Sequence, residues 1–413
     1  EQRTGLQRLA ANIRRVQRRC VMVFLSSPLL RGAARSLLVN STELSRQPSA
    51  EIAISPTAPF KLFIHPPHED LMSQSVALYH SHDGKIVVRA VCALRAVGQA
   101  SNHTEALLDV GANIGVFALT AAAGGQRVVA IEAMRYNTEV LAASIERNGW
   151  HDRVALLKTA VGAAPASMCV RPAPPSAWCQ DPRSSWCKAV FKAGQASNGQ
   201  LVPASDPECQ AKPGVSSVNE IVQVSTIDSL LRSGAHGWHH NTTAADATSE
   251  PTPPSRHCIA VMKIDVEGYE SLVLAGAREL LSSGTCPPCH VIFEYAAPNY
   301  GLRDVREIFK LLVTELGYKC HLVSRMTERR GHDGTRWDRQ VIDLKHFAPD
   351  RFEQMIASGG GAGSAAASNA SQFPPGQYEC VLWRTLSQHP RCQRSVGETA
   401  ADMVSACHSW SRP

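Results

Sequence analysis

Leu108-Asp109-Val110-Gly111-Ala112-Asn113-Ile114-Gly115 reads as the end of a buried strand, a tight turn and the opening of a helix. The apolar residues at 106–110 supply the strand. Gly111 and Gly115 then let backbone approach a ligand where a β-carbon would collide. The helix expected over 116–123, stopped by Gly124-Gly125, would offer unpaired N–H groups to an anion, either a methionine carboxylate or a pyrophosphate. A dinucleotide site asks for Gly-x-Gly-x-x-Gly. Here Asn113 stands at the second glycine position and Val116 at the third, which weakens that reading.

Outward from this turn, strand and helix signals alternate from about residue 106 to 384. A second strand at 127–131 leads into a helix that Asn137 can cap and Asn148-Gly149 can end. A third strand at 154–157 continues towards Val161. Strand 221–224 and helix 226–231 precede a fourth strand at 259–264, apolar throughout except for Lys263. Tyr269, Leu272, Val273, Gly276, Ala277 and Leu280 then recur at helical spacing, with a small-residue notch for packing on the sheet. A fifth strand at 290–295, a helix marked by Val305, Ile308, Phe309, Leu312 and Leu316, and strands at 318–323 and 378–384 complete the series. Such alternation predicts an α/β fold with a doubly wound, mostly parallel sheet covered on both faces. Periodicity is lost in three stretches read as loop insertions: 163–219, rich in Cys and Pro, 236–257, and 326–377 with its Gly/Ala/Ser run.

Glu132 ends the second strand, 23 positions after Asp109, where an acid can accept hydrogen bonds from both ribose hydroxyls of an adenosine. The bland alternative for Asp109 and Glu132 is a pair of solvated strand ends. A second constellation, Lys263-Ile264-Asp265-Val266-Glu267-Gly268-Tyr269-Glu270, also turns from strand to helix at the carboxyl edge, where open α/β sheets place their ligands. Asp265 and Glu267 would both point into that crevice if the strand stays extended. Glu270 is expected to face solvent or complement the helix dipole, and Lys263 to be a satisfied strand-edge lysine.

The two motifs together, with Thr226-Ile227-Asp228-Ser229-Leu230 ahead of the second, closely resemble the FkbM methyltransferases over roughly residues 69–294. The resemblance implies a class I, Rossmann-like methyltransferase fold with an antiparallel final strand, S-adenosylmethionine as cofactor and an oxygen nucleophile as acceptor. Carried over by position, Asp109, Gly111, Asn113 and Gly115 match the cofactor loop and Glu132 the ribose acid, while Asp265, Glu267 and Gly268 match the acidic motif. Asp265 or Glu267 could remove the acceptor's proton, or both could only position ligands. The sequence departs from the family at Ala133-Met134, where a proline often follows the acid, and in the large insertion after Val161. The competing readings are a non-catalytic glycan-binding or scaffolding protein that retains the fold, and a nicotinamide-dependent oxidoreductase.

The expected organisation is a basic extension over 1–48, a cap segment over 49–105, the methyltransferase domain over 106–386 and a tail over 387–413. Residues 2–42 lack any acid and set Leu6, Leu9, Ile13, Val16 and Cys20 at helical spacing beside six arginines, a pattern for a targeting segment or membrane association. A net charge of +6 without aromatic and basic interleaving argues against nucleic acid as a partner; a small-molecule or glycan acceptor is expected instead. Thirteen cysteines, four of them crowded at Cys169, Cys179, Cys187 and Cys209, suggest a loop held by disulfides. Sequons at Asn40, Asn102, Asn241 and Asn369 join them in favouring the secretory lumen over a plastid, mitochondrion or the cytosol. Cys286-Pro-Pro-Cys289 has the spacing of half a zinc site with no second half, so no metal is expected, and a disulfide or two thiols is. The His239-His240 pair reads as solvated.

Overall fold

The computed structural model describes residues 49–52, 59–67, 70–79, 84–98, 104–172, 199–210, 220–234, 257–296, 307–308, 310–323, 344–346, 379–385 and 389–392. The chain divides into two units, Glu1–Ser49 and Ala50–Pro413, and the second holds every described residue beyond Ser49. The basic amphipathic pattern, all four sequons, Cys179, Cys187 and the His239-His240 pair lie outside the described residues.

In chain order the strands are β1 (Ser49–Ile52), β2 (Phe60–Phe63), β3 (Thr104–Val110), β4 (Arg127–Glu132), β5 (Val154–Lys158), β6 (Ala160–Val161), β7 (Ala166–Pro172), β8 (Gly199–Pro203), β9 (Glu220–Ser225), β10 (His257–Ile264), β11 (His290–Ala296), β12 (Lys319–Val323), β13 (Leu344–His346) and β14 (Glu379–Thr385). The main sheet runs β13-β12-β14-β11-β10-β3-β4-β5. Neighbours from β11 to β5 pair in parallel, and the last strand, β14, lies antiparallel between β11 and β12. This is the doubly wound sheet that the alternating signals predict, in the Rossmann-like arrangement with an antiparallel final strand that the resemblance implies.

Side chains of the central strands divide between two cores because successive residues point to opposite faces. Leu107, Val128, Ala130 and Ile292 join the helices Gly84–Gly98, Val116–Ala123 and Arg135–Asn148 on one face. Leu108, Val110, Val129, Ile131, Met262 and Phe293 pack on the other face against Ile227, Val273, Leu274, Leu312 and Tyr318. From β3 the chain crosses to β4 on one side, and from β10 it crosses to β11 on the other. The carboxyl ends of β3 and β10 therefore flank the point where the winding reverses, the place where open α/β sheets form their ligand crevice.

Several sequence expectations are corrected. Asn137 does not cap its helix: Arg135–Asn148 starts after Met134, and Asn137 is buried in its first turn, where its carboxamide bonds to other side chains. The chain leaves the main sheet at Thr159, so Val161 pairs with β9 rather than extending the third strand. The 163–219 stretch is not wholly irregular. β7 and β8 form a hairpin that joins β6 and β9 in a second sheet, ordered β6-β9-β7-β8 and closed over Met134, Val170, Val222 and Val224. A Cys169–Cys209 disulfide staples it, as the cysteine crowding suggests.

The single helix expected after β10 is two short ones, Glu270–Ala275 and Arg278–Leu281. They break at Gly276, where a β-carbon would lie 2.0 Å from the Gly162 carbonyl oxygen, so the small-residue notch packs on that loop. The helix expected near Leu312 is a π-helix over Lys310–Glu315 ended by Gly317 in the left-handed region. Within the 326–377 stretch read as a loop insertion, Leu344–His346 pairs with β12. Cys286 and Cys289 do not pair with each other: they bond to Cys258 and Cys392. Beside the second disulfide, buried Arg391 grips Glu105 through both oxygens and donates to the carbonyls of Pro287 and Ile259. Among the described residues no helix is long and apolar enough to cross a membrane, and no cluster could hold a metal ion.

Candidate active site

The turn after β3 is wound so tightly that three of its residues, Gly111 (φ 73°), Asn113 (φ 52°) and Gly115 (φ 94°), occupy the left-handed region. Asn tolerates this conformation better than other side chains, which suits position 113. Gly111 is obligatory for a second reason, since a β-carbon there would stand 1.8 Å from the Asp265 carbonyl oxygen. The loop thus lies directly on the turn that follows β10, and Asp265 N–H donates to Val110 O across the two strands at 3.0 Å.

The loop's N–H groups are largely engaged by acceptors of the loop itself and of β4. Gly111 and Ala112 both donate to Ile131 O, Gly115 donates to Ala112 O, and Ile114 donates to the side chain of Asn113. Asn113 N–H donates to Glu132 Oε2 at 2.8 Å, and Ala118 N–H, in the first turn of the helix, to Asp109 Oδ2 at 3.0 Å.

Glu132 therefore does more than end β4. Its Oε1 accepts from Met134 N–H at 2.9 Å and from Asn137 Nδ2 at 3.4 Å, so one carboxylate ties the glycine loop to the helix beyond β4. Burial pushes its carboxyl upward, and the hydrogen bonds to Met134, Asn113 and Asn137 pull it back. Oε1 is taken by two donors, and Oε2, with one, keeps a lone pair for a further donor such as a ribose hydroxyl.

Lys263 is a buried lysine on β10, flanked by β3 and β11 within the sheet and not at its edge. Its Nζ donates to Gly111 O at 2.7 Å and lies 3.3 Å from Asp109 Oδ1 and 3.4 Å from Asp265 Oδ2, with the Phe117 ring 5.5 Å away. Burial opposes its charge, but Asp109 and Asp265 outweigh burial and raise it further above the ordinary lysine range, so it stays an ammonium. Asp109 is fully buried; burial pushes its carboxyl up and Lys263 draws it down. It supports the loop from below, while the Asp265 side chain keeps 29% of its surface exposed.

The strand does not stay extended through Glu267. It ends at Ile264, and Glu267 (φ 58°) and Gly268 (φ 98°) both take left-handed backbone in the turn beyond it. For a glutamate this conformation costs on the order of 1 kcal/mol or more, the kind of strain that active sites retain. Glu270 does not face solvent. It is buried, and its Oε1 accepts from Val266 N–H at 3.0 Å, bracing that turn. Burial first, then the charges of Asp265 and Glu270, hold the Glu267 carboxyl well above its usual range, with Lys263 opposing.

Of the sequence-predicted residues, Asp109, Gly111, Asn113, Gly115, Glu132, Asp265 and Glu267 are all brought to the carboxyl edge of β3, β4 and β10. Reasoning from sequence missed Lys263 as the hub of that cluster, Asn137 as a partner of Glu132, and Glu270 as a brace. A lone lysine in an apolar strand preceding two acids was the available signal for the first. Asp109 and Asp265 pair with that ammonium, and the carboxyl groups of Glu132 and Glu267 lie within its electrostatic reach. An edge of this sign attracts a cation and repels a pyrophosphate.

A family model described as Methyltransferase FkbM domain matches residues 109–320, just over half of the 413-residue chain. No curated protein matches the chain.

Proposed function

Because the chain belongs to the FkbM methyltransferase family, we propose that this methyltransferase uses S-adenosylmethionine to methylate a hydroxyl oxygen on a sugar, glycan or small metabolite. The observation that carries the cofactor reading is the charge of the crevice. A glycine loop with its own N–H groups engaged, bordered by Glu132, Asp265 and Glu267, suits a ligand with a ribose diol and positive charges. It is poorly made for the pyrophosphate of a nicotinamide dinucleotide.

The residues at this edge fit that cofactor. Gly111 removes the β-carbon that would block the loop's approach to Asp265, and Glu132 Oε2 keeps acceptor capacity for a ribose hydroxyl. Asp265, whose side chain keeps 29% of its surface exposed, would hold the cofactor's ammonium. When bound, the cofactor supplies an electrophilic methyl carbon on a sulfonium. The chain's own task is to orient the acceptor oxygen and take its proton. Glu267 is our assignment for that base, because a carboxyl held well above its usual range is a better proton acceptor near neutrality than an ordinary glutamate. Asp265 is the runner-up, since its carboxyl already faces the Lys263 ammonium at 3.4 Å.

The disulfides Cys169–Cys209, Cys258–Cys286 and Cys289–Cys392 favour an oxidising compartment, and we propose the secretory lumen, where glycan acceptors are abundant. Calorimetric titration with S-adenosylmethionine, S-adenosylhomocysteine and NAD tests the cofactor reading. Both sulfur ligands should bind and NAD should not; NAD binding alone would overturn it. Mass spectrometry of candidate glycans and metabolites after incubation with the donor should show the gain of one methyl on oxygen.

A further inference from the structure

His65 lies just beyond β2 and is fully buried, with its ring stacked on Tyr136 at a centroid distance of 3.8 Å and an interplanar angle of 16°. Its backbone N–H donates to Ser73 Oγ at 3.0 Å, and Ser73 N–H donates to Asp70 Oδ2, so the segment carrying it is pinned from both sides. The His65 Nε2 lies 2.9 Å from Asn137 Oδ1, and the other end of that carboxamide, Nδ2, faces Glu132 Oε1.

A carboxamide has one accepting and one donating end. Turning Asn137 over would set its oxygen against the Glu132 carboxylate and leave its NH₂ towards the imidazole. With a proton on Nε2, His65 holds the Asn137 oxygen and thereby commits the NH₂ to Glu132. The Nε2–H tautomer and the imidazolium both satisfy this requirement. Glu132 then takes donors from three segments: the glycine loop through Asn113, the turn after β4 through Met134, and the next helix through Asn137. Three such donors fix the plane of the carboxylate.

We propose that His65 is a positioning residue for the cofactor, acting through Asn137 to aim the Glu132 carboxylate at the ribose diol. The proposal rests on the reading of Glu132 as the ribose acid. His65 lies ahead of residues 109–320, so the cap segment takes part in the site rather than only covering the sheet.

The test is calorimetry on the full chain with S-adenosylhomocysteine and with its analogue lacking both ribose hydroxyls. His65→Leu should weaken the first by about tenfold, the order of one hydrogen bond to a charged group, and leave the second unchanged. His65→Gln, whose amide nitrogen can donate from a similar place, should restore most of the loss. In an Asn137→Ala background His65→Leu should have no further effect. Equal losses for both ligands, or none, would overturn the proposal, since a role confined to packing does not distinguish a ribose from its deoxygenated form. If His65→Leu does not fold, Asn137→Ala takes its place in the two-ligand comparison with the same overturning results, and His65→Gln should bind both ligands nearly as the parent does. Should the unaltered protein bind no S-adenosylhomocysteine, the reading of Glu132 fails and this proposal with it. Binding to which the His65 and Asn137 variants are indifferent sinks this proposal alone.

Discussion

Lys263 Nζ lies 3.3 Å from Asp109 Oδ1, so an ammonium on β10 neutralises the fully buried last acid of the neighbouring strand. The same nitrogen donates to Gly111 O, joining the floor of the crevice to the loop above it. The loop and the acidic turn after β10 are therefore one electrostatic unit.

Lys263→Met should leave Asp109 without its counter-charge and cost about 3–5 kcal/mol, as expected when one partner of a buried pair is removed. Urea denaturation monitored by circular dichroism measures this. A loss below about 1 kcal/mol, the worth of an exposed pair, would show that the crevice floor is well hydrated.

Gly111→Ala should abolish cofactor binding, because its β-carbon would collide with the Asp265 backbone and no side-chain rotation can relieve it. Gly125→Ala is the control. Gly125 is also left-handed (φ 79°) but has nothing near its β-carbon, so the substitution should cost about 1–2 kcal/mol of stability and leave affinity intact. Equal effects of the two on affinity would reject the close-approach argument.

The raised carboxyl of Glu267 gives stability a defined pH dependence. The folded state holds this proton to a higher pH than the unfolded chain, whose carboxyl has the ordinary value of 4.5, so stability is full below that value and falls as pH rises through the folded-state range. Glu267→Gln, which cannot ionise, should be more stable relative to the parent at pH 7 than at pH 4, as read from melting temperatures at the two pH values. In the same variant, turnover should collapse while S-adenosylhomocysteine affinity stays within about threefold, the pattern expected when a base is removed. Unchanged turnover would move the base role away from Glu267.

The Cys289–Cys392 disulfide closes a span of 103 residues and seats Arg391 on Glu105. Cys392→Ser should cost about 4–5 kcal/mol by the loop-entropy argument. Differential scanning calorimetry of variant and parent, with and without reductant, measures it. A reductant effect on the parent much larger than that of Cys392→Ser would assign the balance to the other disulfides, Cys169–Cys209 and Cys258–Cys286 among them.

How much was legible depended on how far apart the contributing residues lie. The strand, turn and helix around Asp109–Gly115 were readable because each signal is local: an apolar run, left-handed glycines and a helical period that ends at Gly124. The hairpin of β7 and β8 was not, since its short alternation is buried among prolines and cysteines and its pairing partner, β9, lies roughly fifty residues on. Glu270 misled for a related reason: an acid at the start of a helix usually meets solvent, and only the left-handed turn at Glu267 and Gly268 brings Val266 N–H within its reach.

The sequence by itself determined the alternation of elements, and with it the parallel sheet and the acids at its carboxyl edge, because hydrophobic period and turn chemistry act between neighbours along the chain. Tertiary structure alone decided which groups those acids meet. Lys263 reaches Asp109 only because β10 pairs in register with β3, and Glu132 meets Asn137, and through it His65, only because helix Arg135–Asn148 and β2 pack on one side of the sheet. Charge and hydrogen-bond energies depend on distance through space, which no spacing along the chain specifies.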